Sequence, residues 1–186
     1  MDAVDVIDPI GQRRPMAEDV DEARLVRAAR DGDRRAFGQL YERYGRVVHG
    51  ILLARLPPRE VDDVVQEVFL TALQRLASLR DPDAFGPWLG AIARNRATDQ
   101  HRRRREHEAL PEEALAASPL APEAVAVLAA LRTLPEAYRE TLALRLVEGM
   151  TGPEIAARTG LTPASVRVNL HRGMKLLRER LGEGSR

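Results

Sequence analysis

The sequence predicts an all-α protein in which two helical domains are joined by a flexible linker. Hydrophobic residues make up 44% of its 186 residues, which is enough for a packed core, but aromatic residues make up only 4%. Together with abundant Ala, Leu and Arg, this composition favours helices over strands. Apolar residues also recur every three or four positions over most of the chain, which is the helical period. A chain of this length holds one ordinary domain or two small ones.

The composition also excludes several classes of protein. The chain has no cysteine, which excludes disulfides and thiolate zinc sites and fits a reducing compartment. Its first residues, MDAVDVIDPIGQRRP, are acidic where a secretory signal carries positive charge. No stretch approaches the roughly 18 apolar residues of a membrane span. We therefore expect a cytoplasmic protein that does not insert into a membrane.

The N-terminal domain is expected at residues 19–105, after a disordered tail at residues 1–18. The tail mixes acidic residues, Gly and Pro without periodicity, which is typical of disorder. A first helix is predicted over about 21–30, and a second one continues to about Leu56. The apolar face of the second helix, which we expect to be buried, consists of Leu40, Tyr44, Val47, Val48 and Ile51.

Two further helices complete the N-terminal domain. Pro57 and Pro58 end the second helix, and a third helix follows them. Asp81 and Pro82 provide a start signal for a fourth helix, which runs into an arginine-rich segment. The predicted buried stripe of the third helix consists of Val61, Val64, Val65, Val68, Phe69, Ala72, Leu73 and Leu76. The predicted inward residues of the fourth helix are Phe85, Trp88, Leu89, Ile92 and Ala93.

A linker and a second domain follow. Residues 106–122 are rich in Ala, Pro and Glu and carry no long periodic run, which predicts a flexible acidic linker. The C-terminal domain is expected at residues 123–182. We predict its first helix near 123–133 and its second within the segment LPEAYRETLALRLVEG.

Capping residues mark the last two helices. Thr151 and Glu154 form a capping box, in which each side chain satisfies a backbone N–H at the helix start. Gly160 ends that helix because glycine tolerates positive φ. Thr162 caps the next helix, which has Pro163 at its first position.

The same segment has the spacing of a helix-turn-helix motif. Ala156 is the small residue where the helices touch, Gly160 lies in the turn, and Val166 is the apolar anchor of the second helix. The predicted buried stripe of that second helix consists of Val166, Leu170, Met174, Leu177 and Leu181. Its opposite side carries Arg167, Asn169, His171, Arg172, Lys175 and Arg178.

In a helix-turn-helix the second helix enters the major groove of DNA. There, Arg can bind guanine and Asn can bind adenine. The candidates for base contacts are Arg167, Asn169, His171 and Arg172. Lys175 and Arg178 lie further along the helix and suit phosphates. An arbitrary amphipathic helix would have a merely solvated polar side, but the motif favours DNA binding.

A second basic surface follows the core residues of the fourth helix. The net charge is only +1, yet Arg94, Arg96 and the run at residues 101–105 concentrate positive charge just before the acidic linker. Arginines bind phosphates in a salt-dependent manner. Asn95 is an indifferent helix former but can hydrogen-bond a base edge. The sequence therefore predicts a DNA surface on each domain.

The third helix carries an acidic patch. Glu60, Asp63 and Glu67 lie three and four residues apart and so share one face, beside Asp62 and Gln66. This patch is compatible with a solvated face, a metal or acid-base site, or a docking surface for a basic partner. No His stands at ligand spacing nearby. The sequence also lacks a Ser-His or Cys-His arrangement and a phosphate-binding glycine loop.

Taken together, the motifs resemble those of bacterial RNA polymerase sigma factors of the extracytoplasmic function (ECF) group, in the sigma-70 family. The segments similar to sigma domain two are DGDRRAFGQLYERYG, DDVVQEVFLTAL and FGPWLGAIARNRATDQHRRRR. The segment similar to sigma domain four is LPEAYRETLALRLVEGMTGPEIAARTGLTPASVRVNLHRGMKLLRERL. The resemblance covers about residues 19–105 and 123–182, in the order and spacing of the family.

The resemblance implies a promoter-recognition subunit of RNA polymerase, with no catalytic activity and no cofactor of its own. In the family, the helix matching DDVVQEVF docks on the clamp coiled coil of core polymerase, which gives Asp63, Gln66 and Glu67 a docking role. Asn95 falls where the family reads a base flipped out of the minus-ten element, an extrusion that costs a few kcal/mol. The residues that match the DNA-backbone surface are Arg94, Arg96, Arg102 and Arg103.

The resemblance also assigns the C-terminal domain to the minus-thirty-five element and to the polymerase flap. The residues expected at that DNA element are Arg167, Asn169, His171, Arg172 and Lys175. Family members commonly have VRSRL in this helix where the present chain has VRVNL, so Val168 and Asn169 predict a different base preference. Anti-sigma factors control many members of the group, which makes such a protein a candidate partner.

Two alternatives remain open from the residues themselves. The first is a conventional helix-turn-helix repressor or activator, whose first domain dimerises or senses a ligand and which binds a palindromic site by itself. The second is a helical enzyme that uses Asp62, Asp63 and Glu67 with a metal ion. Metal analysis would identify the second, whereas dependence on core polymerase would exclude the first.

Overall fold

A computed structural model describes residues 21–107 and 122–183, and these residues form α-helices joined by short turns. The all-α prediction is confirmed, since the described ranges contain no strand. The N-terminal domain comprises α1 (Glu22–Arg30), α2 (Arg34–Leu53), α3 (Pro58–Arg75) and α4 (Phe85–His107). The C-terminal domain comprises α5 (Pro122–Arg132), α6 (Glu136–Leu146), α7 (Gly152–Thr159) and α8 (Pro163–Glu183). The expected tail at 1–18 and most of the expected linker lie outside the described residues.

Most helix starts of the N-terminal domain follow from local side-chain chemistry. The Asp21 carboxylate accepts a hydrogen bond from the Ala23 N–H at the start of α1. Asp33 caps α2 in the same way, by accepting from two backbone N–H groups. Pro58 is the first residue of α3, where the missing N–H of proline carries no cost. Helix α2 ends three residues before the predicted Leu56, in a tight turn.

The capping predictions for α7 and α8 are confirmed. Thr151 and Glu154 form both hydrogen bonds of the capping box. The bond from the Thr151 backbone N–H lowers the pKa of the Glu154 carboxyl group. Gly160 ends α7 with a φ of 75°. The Thr162 hydroxyl oxygen accepts a hydrogen bond from the Ser165 N–H at 3.1 Å, which fixes the start of α8. Both helices therefore begin, and α7 ends, where the sequence predicts.

Most of the predicted apolar stripes are buried, but two of their members are exposed. Leu73 is exposed because it lies about 120° around α3 from the buried Val61, by helical geometry. Leu181 is exposed because the buried part of α8 ends at Leu177 and residues 178–182 are all exposed. Gly173 is buried instead, where α8 approaches α6 so closely that a Cβ atom would lie 3.0 Å from Leu142.

The two domains share their apolar core. Helix α2 packs against α6, and α4 packs against α7. Leu144 and Ile155 from the C-terminal domain join the apolar cluster of the N-terminal domain, while Ala54 packs within the C-terminal cluster. The approach is closest at Gly50, where a Cβ atom would lie 2.7 Å from the Leu144 Cδ2 atom. This interdomain contact places Arg55, just after α2, and Arg94 of α4 against the carboxylates of α6.

Candidate functional site

The acidic patch of α3 is present on the surface. Asp62, Asp63 and Gln66 are exposed, and Glu67 is half-buried. Asp63 makes no hydrogen bond or ion pair with another described residue. At about 100° per residue, Asp63, Gln66 and Glu67 lie within one face of the helix. The structure therefore brings the three predicted docking residues together.

The same face of α3 carries an apolar residue that sequence reasoning missed. Leu70 is 59% exposed and lies one helical turn beyond Gln66. Leu73 and Tyr41 are also exposed nearby in the fold, and the Tyr41 ring lies 4.4 Å from that of Phe69. The sequence does indicate that Leu70 is exposed, because this apolar residue lies outside the predicted buried stripe of α3.

The predicted minus-ten residues of α4 differ in what they contact. Asn95 is exposed, whereas Arg96 reaches across to α3. The Arg96 Nη2 donates to the Thr71 hydroxyl at 2.8 Å, and its Nη1 lies 3.7 Å from the Glu67 carboxylate. Arg102 and Arg103 are exposed, and Arg102 pairs with Asp99 at 3.2 Å. A predicted DNA residue and a predicted polymerase residue thus contact each other, at Arg96 and Glu67.

Arg94 is engaged with the C-terminal domain. Its guanidinium donates two hydrogen bonds to the Glu140 carboxylate of α6, at 2.7 and 3.1 Å. The hydrogen bonds with Glu140 raise the pKa of Arg94. Glu140 also accepts a hydrogen bond from the buried Arg55 at 2.9 Å. Arg55 donates in addition to the Ile51 carbonyl at 3.0 Å and to Glu136. The bond from Arg55 lowers the pKa of the Glu136 carboxyl group.

A second polar contact between the domains involves His49 and Glu148. The His49 Nδ1 lies 2.6 Å from a carboxylate oxygen of the buried Glu148. The His49 Nε2 lies 4.0 Å from Asp62, and Arg46 lies 3.7 Å from Glu148. The hydrogen bond with Glu148 raises the pKa of His49, against the opposing effect of its burial. This pair favours a protonated imidazole.

A third polar contact joins α7 to the first two helices. The Arg158 guanidinium donates to the Glu22 carboxylate at 3.1 Å and lies 5.1 Å from the centre of the Tyr44 ring. The Tyr44 hydroxyl donates to the same carboxylate at 2.7 Å. Sequence reasoning missed all three of these interdomain groups, because their partners are distant along the chain.

The outward face of α8 is open. Arg167, His171, Arg172 and Lys175 are exposed, and none of them has a hydrogen bond or ion pair with another described residue. Asn169 differs from them, since it is half-buried and its side-chain amide donates to the Thr141 hydroxyl of α6 at 3.3 Å. Four of the five predicted minus-thirty-five residues therefore share an accessible surface, and the fifth faces inward.

Across residues 21–107 and 122–183, no group of three or more His, Asp or Glu side chains has an arrangement that could hold a metal ion. Within the same ranges, no helix is long and apolar enough to cross a membrane.

Two family models match the chain. The model described as Sigma-70 region 2 matches residues 40–107, and the model described as Sigma-70, region 4 matches residues 124–177. The first match covers α3 and α4, and the second covers the helix-turn-helix. Together they span more than half of the sequence.

Relatives and solved structures agree with these matches. The RNA polymerase sigma factor CarQ of Myxococcus xanthus is 34% identical over 163 residues, which cover 83% of this chain and 94% of CarQ. The ECF RNA polymerase sigma factor SigD of Mycobacterium tuberculosis is 33% identical over 174 residues, which cover 84% of this chain and 82% of SigD. The structure of CnrH in complex with the cytosolic domain of CnrY matches with a TM-score of 0.60 and 32% identity, covering 87% of this chain and 97% of that one.

These similarities decide between the alternatives that the residues left open. Sigma factors are not enzymes, so the acidic patch of α3 has no catalytic role, and both sigma regions occur here in one chain. The chain belongs to the sigma-70 family, and it is an ECF-type sigma factor that binds core RNA polymerase and promoter DNA and directs transcription initiation.

Proposed function

We propose that three surfaces of this chain each bind a different partner during promoter recognition. The exposed face of α3 docks on the clamp coiled coil of core polymerase, the polar face of α4 binds the minus-ten element, and the outward face of α8 binds the minus-thirty-five element. The observation that carries this proposal is the open basic face of α8, which lies at the outer side of a well-capped helix-turn-helix. The proposed location is the cytoplasm, where the polymerase and the chromosome are.

Asp63, Gln66 and Glu67 are the proposed polar contacts with polymerase, and Leu70, one helical turn beyond Gln66, is the proposed apolar contact beside them. Protein interfaces commonly have apolar residues at their centre and polar residues at their edge. Asp63 is the best residue for a test, because it has no partner among the described residues, whereas Glu67 also contacts Arg96.

The docking proposal predicts that Asp63→Arg weakens binding to core polymerase. We expect a loss of at least about tenfold, which corresponds to about 1.4 kcal/mol, because a carboxylate facing a basic partner is replaced by a like charge. The matched control is Glu42→Arg, which reverses an exposed carboxylate on α2. Equal affinity of Asp63→Arg and the parent protein for core polymerase, at unchanged helicity, would refute this docking surface.

Asn95 is the proposed reader of an unpaired base in the minus-ten element. It is exposed on α4, and one good base contact contributes about 1–3 kcal/mol. Asn95→Ala should flatten the base preference at one minus-ten position in a promoter library, while polymerase binding is retained. The other asparagine of the chain provides the control, since Asn169 donates to Thr141 and Asn169→Ala should leave the minus-ten profile unchanged. A minus-ten profile of Asn95→Ala that overlays the parent profile would reject the assignment.

The proposed phosphate contact of Arg94 requires the domains to separate. Arg94 is a candidate for the DNA backbone together with Arg96, Arg102 and Arg103, but Glu140 occupies its guanidinium. A random coil of the length of the linker expected at residues 106–122 would span roughly 20–25 Å root-mean-square, which is too loose to fix the spacing of two DNA elements. We therefore propose that polymerase seats each domain separately and supplies that spacing, so that the second DNA contact becomes intramolecular and gains about 10²–10⁴ in affinity.

A protein that controls this sigma factor is also proposed. The group is commonly regulated by anti-sigma factors, and the similar structure of CnrH contains the cytosolic domain of CnrY.

Run-off transcription on a genomic library with purified core polymerase tests the proposed function. With the chain present, we expect transcripts from a limited set of promoters that share a minus-ten and a minus-thirty-five element. Identical transcripts in the absence of the chain would contradict the proposal. So would tight binding of the free protein to a palindromic site, because that is the behaviour of a conventional repressor.

A further inference from the structure

Val168 is an apolar residue on the otherwise polar outward face of α8. It is 41% exposed, whereas Val166, two residues earlier, is buried. By helical geometry, Val168 lies about 200° around the helix from Val166, which is almost directly away from the core. One turn earlier lies the small exposed Ala164, and one turn later lies the exposed Arg172. Val168 therefore stands in the middle of the face proposed to meet DNA.

The packing of α8 fixes the direction in which Val168 points. Val166 and Leu177 are buried, and the close approach at Gly173 seats the helix against α6. The hydrogen bond from Asn169 to Thr141 holds the next residue inward. A helix anchored at these points presents Val168 to a ligand without the freedom to rotate it away.

In the major groove of DNA, only one chemical group of the base edges suits contact with an exposed valine. Base edges there present hydrogen-bond donors and acceptors, with one apolar group, the 5-methyl group of thymine. A valine placed against a donor or acceptor would remove it from water without replacing its hydrogen bond, which is unfavourable. Placed against the methyl group, the same side chain buries apolar surface on both sides.

We propose that Val168, with Ala164 beside it, reads the 5-methyl group of one thymine in the minus-thirty-five element. This inference rests on the proposed binding of α8 to that element and adds a specificity-determining residue to it. The neighbouring Arg167 and Arg172 supply polar base or phosphate contacts on the two sides of Val168. Thymine is then selected at one position by an apolar contact rather than by hydrogen bonds.

Replacement of single thymines by deoxyuridine tests the proposal directly, because deoxyuridine lacks only the methyl group. Holoenzyme reconstituted from core polymerase and the full chain is bound to a promoter from the library, with each minus-thirty-five thymine on either strand replaced in turn. We expect the parent holoenzyme to lose about fourfold in affinity at one position, the effect of removing one buried methyl-sized group. Val168→Ser holoenzyme should be insensitive to the replacement at that position.

The control variant is Val147→Ser, which makes the same substitution at an exposed valine on the C-terminal side of α6, 47% exposed. It should keep the full sensitivity of the parent to the missing methyl group. A parent holoenzyme indifferent to every replacement would overturn the proposal while leaving the DNA-binding role of α8 intact. Sensitivity that persists unchanged in Val168→Ser would also overturn it, because another residue would then read the methyl group. Affinity that does not depend on the minus-thirty-five sequence at all would instead reject the proposed role of α8.

Discussion

The outward face of α8 and the polar face of α4 are built from similar residues but differ in what their arginines contact. Arg167 and Arg172 of α8 have no carboxylate partner in the part of the chain that the structure describes. Arg94, Arg96 and Arg102 of α4 each lie beside a carboxylate. The arginines of the α8 face are therefore accessible, whereas those of the α4 face must leave their carboxylates before they can bind another anion. A basic composition alone does not show that a surface is available.

The three ion pairs formed by the arginines of α4 differ in strength. The pair between Arg102 and Asp99 is exposed and joins residues three apart, so it contributes little. Arg96 lies 3.7 Å from a half-exposed Glu67 and exchanges that partner for a phosphate at modest cost. Glu140 is buried and binds two guanidiniums, those of Arg94 and Arg55. The difference between the two faces thus depends mainly on Glu140.

The largest effect is expected from Glu140→Ala. Removal of this carboxylate leaves the buried Arg55 without one of its charge partners, and breaking a buried pair costs about 3–5 kcal/mol. The interdomain contact should weaken accordingly, and Arg94 should become available. Energy transfer between dyes on the two domains measures the change. The natural sequence has no cysteine, so that Gln39→Cys and Ala157→Cys, both at exposed positions, give specific labels.

Glu136→Ala is the matched control for Glu140→Ala. It removes the other carboxylate that binds Arg55, but the Glu136 side chain is 60% exposed, so solvent screens the interaction. Its effect on energy transfer should be clearly smaller. Equal effects of the two substitutions would show that Glu140 has no special part in holding the domains together.

An intermediate effect is expected from Gly50→Ala. In the interior of a helix such as α2, alanine is more stable than glycine by about 0.5–1 kcal/mol. The added Cβ atom would, however, lie 2.7 Å from the Leu144 side chain across the interface. The isolated N-terminal domain should therefore gain stability while the interdomain contact loses about 1–3 kcal/mol through overpacking. Gly38 lies in the same helix with open space around it, so Gly38→Ala should stabilise the protein without reducing energy transfer. Increased transfer in Gly50→Ala would refute this packing.

The smallest effect is the pH dependence from His49. Contact with Glu148 raises its pKa, so the protonated imidazole stabilises the contact fully below the ordinary histidine value of about 6.5. That stabilisation is lost as the pH rises through the raised value. Asp62 acts in the same direction, and Arg46 competes for Glu148. As the pH rises through the pKa of His49, energy transfer should decrease modestly in the parent protein and stay constant in His49→Gln. A decrease in energy transfer as the pH is lowered would contradict this direction of the pH dependence.

Local features of the fold were predictable from the sequence, whereas the interdomain contact was not. The capping box at Thr151 and the left-handed Gly160 depend on residues within a few positions of each other, so their chemistry can be read directly. The apolar character of Leu73 predicts that it is buried, but its angle on α3 places it at the surface. Glu140 is separated by 46 residues from Arg94 and by 85 from Arg55, and no periodicity relates residues at such distances.

The candidate surfaces were predictable to different degrees for the same reason. The open basic residues of α8 follow from the helical period and the position of Val166. The inward turn of Asn169 depends on Thr141 of α6, a contact that only the three-dimensional packing supplies. The exposure of Val168 has the same origin, since it follows from how α8 is seated.

Energy transfer between labels at Gln39→Cys and Ala157→Cys, measured in the free protein and in a transcribing complex with core polymerase and promoter DNA, tests the central claim most directly. That claim is that the two domains bind the promoter separately, after Arg94 leaves Glu140. We expect high transfer in the free protein, where α2, which carries one label, contacts α7, which carries the other, and a large decrease in the transcribing complex. Undiminished transfer in an active complex would contradict the claim, because Arg94 would then still face the C-terminal domain while the promoter is open.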